Sequence, residues 1–331
     1  MNDRPQIDPR LITSFNELYS YFFNADWVAG GPPLLAHYTS IAVMEKILEK
    51  NEIWFSNPLF MNDLQEVRFG LFEGARLFSD PILLKRAGGS DERTSILQNS
   101  FSYFVDKFSN ETAVDTYVFC LSEHDKDNDD GLLSMWRGYG QHGSGVALVF
   151  DSAKVMQVPE SPLLVAKVSY GSNADRLKEL QGLLYRWADI TANLNVQDDQ
   201  LYIVAHTAFH VIKTFALTSK HIGFLEEHEW RVIYDSERDT KGLLKPFHGY
   251  HIGDRGVEPK LKYTVGHIAG VSAADTALER LLDRIILGPS ISSPLTVRSV
   301  ERMLEKMGKP QFKPLVRASG IPLRPLSGTS F

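Results

Sequence analysis

The run Gly145-Val146-Ala147-Leu148-Val149-Phe150-Asp151 is the clearest strand in the chain. Aliphatic and β-branched residues in sequence suit a pleated, buried surface, and their backbone groups need neighbouring strands to bond to. Further strand-like runs occur at 34–38, 52–56 (stopped by Asn57-Pro58), 116–121, 163–170, 229–234, 260–264 and 284–287. Between them lie helical patterns at 11–28, 63–78, 93–108, 174–192, 198–217 and 294–307, and Ser40 is placed to cap a helix carrying Ile41, Met44, Ile47 and Leu48 on one face. The helices interleave with the strands irregularly, not in a βαβ rhythm, which predicts an α+β fold. No linker divides the chain. The expectation is a single domain over 1–331: an N-terminal helix at 11–28, a core over 34–290 with helical insertions at 63–108 and 174–217, and a C-terminal helix and tail at 294–331.

Composition narrows the function classes. A formal charge of −6 across 331 residues supplies no global attraction to nucleic acid. The single cysteine, Cys120, excludes an internal disulfide framework and any multi-cysteine zinc site. No apolar run approaches the ~20 residues that span a bilayer, and the N-terminus lacks a basic-then-apolar leader. A cytoplasmic protein with no membrane partner is the expectation.

Several suggestive motifs lack the context their chemistry needs. Gly138 to Gly143 spells GxGxxG, but it precedes a strand instead of joining a strand to a helix. Asp125, Asp127 and Asp129 imitate a calcium loop, yet Asp130 stands where glycine is needed and Trp136 where the bidentate glutamate belongs. His206 and His210 have helical spacing without the intervening glutamate of a zinc-protease motif. No metal is expected.

Three polar groupings remain. His37-Tyr38-Thr39-Ser40 places an imidazole and hydroxyls at a strand-to-helix junction, where backbone N–H groups favour anions; the plainer reading is a core histidine satisfied by backbone. Ser134 to Gly140 sets Trp136, Arg137 and Tyr139 beside glycines, suited to stacking on a heteroaromatic ring or to a packed helix end. Glu226-Glu227-His228-Glu229 leads into a strand; read as a strand, it puts Glu227 and Glu229 on one face, as an acid/base pair or as a solvated entrance.

These groupings occur in an order that is familiar. His37-Tyr38-Thr39-Ser40, Trp54-Phe55-Ser56 with Asn62-Asp63, Phe119 to Ser122, Met135 to Gly140, Gly145 to Asp151, Glu229-Trp230-Arg231 and Ile286 to Pro289 together resemble bacterial domain-of-unknown-function family 2971 over roughly residues 34–325. The pattern is more remotely similar to the ADP-ribosyltransferase superfamily. That likeness implies a split mixed β-sheet core of ADP-ribosyltransferase type and NAD as substrate. It also implies a macromolecular acceptor (protein or nucleic acid), a toxin or antiphage role, and an antitoxin or defence-system partner.

By the same resemblance His37 would bond a ribose hydroxyl beside Tyr38 and Thr39, and Tyr139 or Trp136 would stack on nicotinamide. Glu229 would stabilise the oxocarbenium-like cation, and Glu227 would position or deprotonate the acceptor. Ser56, Asn62, Ser122 and Arg137 would complete the cofactor-binding set. Two other classes stay open: a non-catalytic nucleotide or nucleic-acid module using the same cleft, and a metal-dependent phosphodiesterase or nuclease using Asp63, Glu66, Glu227 and Glu229.

Overall fold

The irregular strand order resolves into a mixed sheet and a separate helical cluster. The computed structural model describes residues 7–23, 31–61, 64–155, 158, 161–253 and 256–323. The chain divides into two compact units, 1–25 with 57–116 and 166–225, and 26–56 with 117–165 and 226–331. Each unit is assembled from three separated segments, which is why no linker is visible in the sequence.

The first unit is helical. It contains α1 (Pro9–Phe23), α3 (Leu64–Phe78), α4 (Pro81–Gly88), α5 (Asp91–Lys107), α7 (Asn173–Leu194) and α8 (Leu201–Thr218), so both expected insertions and the N-terminal helix fall within it. Their apolar stripes meet in one core around Phe15, Phe78, Phe101, Leu183, Trp187, Phe209 and Phe215. Close approach of α3 to α8 needs Gly70 and Gly74, where an added Cβ would fall 2.6 Å from Ala216 Cα and 2.3 Å from Ile212 Cγ2. Helix α4 falls between the helical patterns expected at 63–78 and 93–108; Asp80 caps its start, Pro81 fills its first turn and Gly89, with φ +82°, ends it. Residues 198–218 prove long and apolar enough to cross a membrane by length and composition, but 67% of that window is buried, as in a core helix. A short parallel pair, β6 (Ser169–Gly171) and β7 (Ser219–His221), completes this unit.

The second unit is built on a sheet that contains ten strands among the described residues. They are β1 (Leu34–Thr39), β2 (Glu52–Ser56), β3 (Thr116–His124), β4 (Val146–Asp151), β5 (Leu163–Lys167), β8 (Glu229–Asp235), β9 (His248–Gly253), β10 (Gly256–Thr264), β11 (Leu282–Leu287) and β12 (Val316–Ala318). The main path runs β12-β11-β4-β1-β3-β2-β10-β9, with β8 paired to β3 and β5. It is mixed: β12 runs parallel to β11, while β1, β4 and β11 pair antiparallel. Helix α2 (Ile41–Lys50), capped by Ser40, packs Met44, Ile47 and Leu48 into the larger apolar core on one face; α9 (Pro294–Lys306) adds Val300 and Leu304 to the same core. The other face of β1 and β4 carries a smaller cluster in which Trp136, on α6 (Leu133–Gly138), covers Ala36, Tyr38, Ala147, Val149 and Ile286. Strands β9 and β12 have no counterpart among the strand-like runs of the sequence, and the α+β class holds.

Strand β3 has three neighbours. Ser122, Glu123 and His124 pair with Ala36, Leu35 and Leu34, whereas Val118 pairs with Ser56 of β2. Strand β1 therefore leaves β3 after Ala36, and His37 stands at that parting.

Candidate functional site

Helix α6 ends at Tyr139, whose N–H, like that of Gly140, donates to Met135 O at 2.9 Å. The chain then reverses within six residues to enter β4. Gln141 and His142 adopt left-handed backbone, with φ of 49° and 52°. Glycine is required at 140 and 145: a Cβ there would lie 2.4 Å from Trp136 Cε3 or 2.3 Å from Thr39 O. The GxGxxG spelling thus records tight packing of this turn, not a phosphate loop. The turn leaves Tyr139 at the surface, 41% exposed.

A second turn faces it from β3 and β8. Ser122 Oγ donates to Glu227 O at 2.7 Å, and Glu123 N–H donates to His228 O at 2.9 Å. Residues 222–227 form a 3-10 turn and His228 is left-handed, with φ 42°. Glu227 is therefore not in strand conformation, and the expectation that it shares a strand face with Glu229 is corrected: the left-handed residue between them breaks the alternation. Instead, the half-buried Glu227 carboxylate accepts a 2.9 Å hydrogen bond from the Tyr139 hydroxyl.

Of the five described non-glycine residues with positive φ, Asn51 and Asn195 are helix C-caps, as asparagine commonly is. The other three are Gln141, His142 and His228, all in the two turns that present this pair. Strained backbone of that kind clusters at functional sites.

Glu229, the first residue of β8, is 4% exposed. Its carboxylate accepts Arg231 Nε at 2.8 Å and Nη2 at 3.1 Å, a bidentate pair that the two-residue repeat of a strand makes local. Both oxygens are thereby engaged with a guanidinium that is itself buried. Glu66, one of the four carboxylates of the metal-dependent reading, is likewise paired, with Arg176 at 2.5 Å; Asp63 lies outside the described residues.

His37 is half-buried, its ring 4.5 Å from that of Phe119. Nδ1 lies 3.0 Å from Cys120 O. A carbonyl only accepts, so Nδ1 carries the hydrogen and Nε2 keeps its lone pair. Burial lowers the imidazole pKa from 6.5, outweighing the opposing effect of the Cys120 bond.

Strand alternation fixes which way these groups face. Leu35 and Leu148 belong to the larger core and Ala36, Tyr38 and Val149 to the smaller one, so His37, partner of Leu148, faces the larger core's side. Trp230 also belongs to the larger core and donates to Glu123 Oε2 at 3.1 Å, which turns Glu229 and Arg231 to the opposite side. Tyr139 and Glu227 are thus brought together, whereas His37 is not turned toward the face that carries Glu229.

The remaining expected residues divide as follows. Trp136 is fully buried and donates through Nε1 to Asp130 O at 2.8 Å, with Tyr38 edge-on at 4.9 Å; as core, it offers no face for stacking. Tyr38 is buried, accepts Leu132 N–H at 2.9 Å, and is pushed up to about 12 by burial. Ser40 Oγ is occupied in capping α2, accepting Val43 N–H at 3.1 Å. Thr39 ends β1 half-buried, and Ser56 accepts Lys260 Nζ at 2.9 Å. Arg137 is exposed and makes no ion pair among the described residues. Asn62 lies outside the described residues.

Sequence reasoning did not single out Arg231, although the Glu-x-Arg spacing inside a strand is a legible signal for the pair. The left-handed states of Gln141, His142 and His228 carry no such signal, since none is Gly or Asn.

No curated protein and no solved structure matches the chain. Residues 135–232, the span that carries Tyr139, Glu227, Glu229 and Arg231, match a family model described as protein of unknown function, DUF2971.

Proposed function

We propose that the chain is an NAD-consuming, ADP-ribosyltransferase-like enzyme acting on a macromolecule, with Tyr139 and Glu227 at its reacting edge. The observation that carries the reading is the exposed phenol hydrogen-bonded at 2.9 Å to a carboxylate, held between two left-handed turns. An exposed aromatic ring offers a stacking face for nicotinamide. A fixed carboxylate beside it stabilises positive charge at the ribose C1′ as the bond to nicotinamide lengthens, the kind of preorganised electrostatic effect that contributes most in such reactions. The acceptor nucleophile then bonds to C1′, nicotinamide leaves with the electron pair of the broken bond, and Glu227 takes the acceptor's proton.

The split at β1 and β3 supports the same fold type. His37, turned to the other side, is assigned to the sheet: it satisfies Cys120 O where β1 departs. Glu229 is assigned a positioning role through Arg231, not direct contact with the cation.

The test is incubation of the purified chain with biotin-labelled NAD and cell extract. Transfer of label to protein or nucleic acid that Glu227→Gln abolishes is the expected result. Transfer unchanged by both Glu227→Gln and Tyr139→Ala would overturn the assignment. NAD binding at Tyr139 without nicotinamide release would make the site a binding module.

A further inference from the structure

Helix α3 has two working faces. One, with Val67, Gly70, Gly74 and Phe78, is buried in the helical unit. The other carries Gln65, Arg68, Phe69 and Phe72 at helical spacing, and with the first turn of α7 it lines a groove of about 410 Å³. The floor is built. Arg176 of α7 is buried; Nη1 donates to Glu66 Oε2 at 2.5 Å and Nε to Ser219 Oγ at 2.9 Å. Its guanidinium lies 4.4 Å over the Phe69 ring, fixing that ring in place. Glu66 Oε2 also accepts His221 N–H at 3.2 Å, so the floor is a rigid, charge-neutral pair.

Above this floor the groove is left to solvent. Phe72 is 70% exposed. Arg68, Gln65 and Asn173 are exposed, and their side chains make no hydrogen bond among the described residues. With Glu66 balanced by Arg176, Arg68 leaves the lining with one net positive charge. The groove thus combines an aromatic face, a cation for an anion, amides that donate and accept, and a carboxylate at the floor.

We propose that this groove binds a mononucleotide, with its planar base against Phe69 and Phe72 and its phosphate on Arg68. Its volume lies at the scale of small-ligand sites, roughly 300–1,000 Å³. Glu66 and Gln65 are placed to meet exocyclic N–H groups of the base. An acidic peptide would use Arg68 but leave the fixed phenyl ring without a planar partner.

The site lies wholly within the helical unit and does not depend on the Tyr139–Glu227 reading. The test is calorimetric titration of the full chain with 5′-AMP and 5′-GMP, then with adenosine and inorganic phosphate. Saturable binding of either nucleotide is expected, with adenosine and phosphate each weaker by about tenfold or more, the scale of one charge-assisted contact or one stacked ring. Phe72→Ala and Arg68→Glu, both at exposed positions and checked by circular dichroism, should each weaken nucleotide binding by about tenfold. Tyr139→Ala should leave it unchanged. No saturable binding of either nucleotide overturns the proposal, as do adenosine binding as tightly as AMP, binding indifferent to both groove variants, and binding lost in Tyr139→Ala.

Discussion

Glu229→Gln separates two accounts of the same residue. If Glu229 acted only on substrate, its near-isosteric amide would leave the fold untouched and remove activity. The structure instead places its carboxylate 2.8 and 3.1 Å from Arg231 Nε and Nη2, with both side chains buried. The amide keeps one acceptor oxygen but turns its other end into a donor facing the guanidinium, and the carboxylate's charge is lost from the pair. Breaking one side of a buried pair costs about 3–5 kcal/mol. For a unit of this size, each kcal/mol moves the melting midpoint by about 2–4 °C, so the expected loss is roughly 6–20 °C.

The control is Glu227→Gln. That side chain is half-buried, and the amide oxygen can still accept from Tyr139, so the change should stay within about 1 kcal/mol. A second variant tests the cause: replacing Glu229 and Arg231 together by Leu and Met removes both charges and should recover most of the loss. Urea titrations followed by circular dichroism and tryptophan fluorescence supply the free energies. If Glu229→Gln shifted stability by no more than Glu227→Gln, the buried-pair reasoning would be wrong.

Further outcomes follow from the same geometry. Trp136→Ala empties the centre of the smaller cluster and should cost about 3–5 kcal/mol in urea titration, whereas Tyr139→Phe, three residues on, should cost about 1 kcal/mol or less. Gly145→Ala forces a Cβ against Thr39 O and the Gly140 carbonyl; both are backbone, so no rotamer relieves the contact, and a loss of about 1–3 kcal/mol or more is expected from the same titration. His37 has a pKa lowered by burial, so the unfolded chain binds more protons and stability rises with pH. Its contribution is complete above about 6.5, the unfolded value, and is lost as pH falls toward the lower folded value. Melting curves from pH 8 to pH 5 should therefore slope less in His37→Gln than in wild type, and identical slopes would refute this.

How much of this was legible depends on range. Local signals were strong: Ser40 before an apolar face marked α2, and the run from Val146 marked β4. Strand β9 was illegible because His248 to Gly253 is an edge strand with four exposed residues, so no burial pattern betrays it. The candidate site needed information of longer range. That Tyr139 meets Glu227 depends on Ser122 gripping the 227 carbonyl from β3 and on a left-handed His228, which nothing in the residue's identity announces. The facing of His37 depends on register, because a one-residue slip would have turned it to the other side. The buried state of Trp136 was open in the sequence because a large aromatic beside glycines serves packing and stacking equally well; Gly131 and Gly140 prove to be there to admit its ring.

On the proposed reading, Tyr139 and Glu227 form a working site for NAD. The most direct measurement is nicotinamide released from NAD by the purified chain, quantified by chromatography with and without cell extract as acceptor. Time-dependent release by wild type is the expected result, reduced at least about a hundredfold in Glu227→Gln, the scale of removing a group aimed at developing charge. Strong loss is also expected in Tyr139→Ala, with both variants folded. No release by wild type across varied extracts, together with no change in melting temperature on adding NAD, would contradict it.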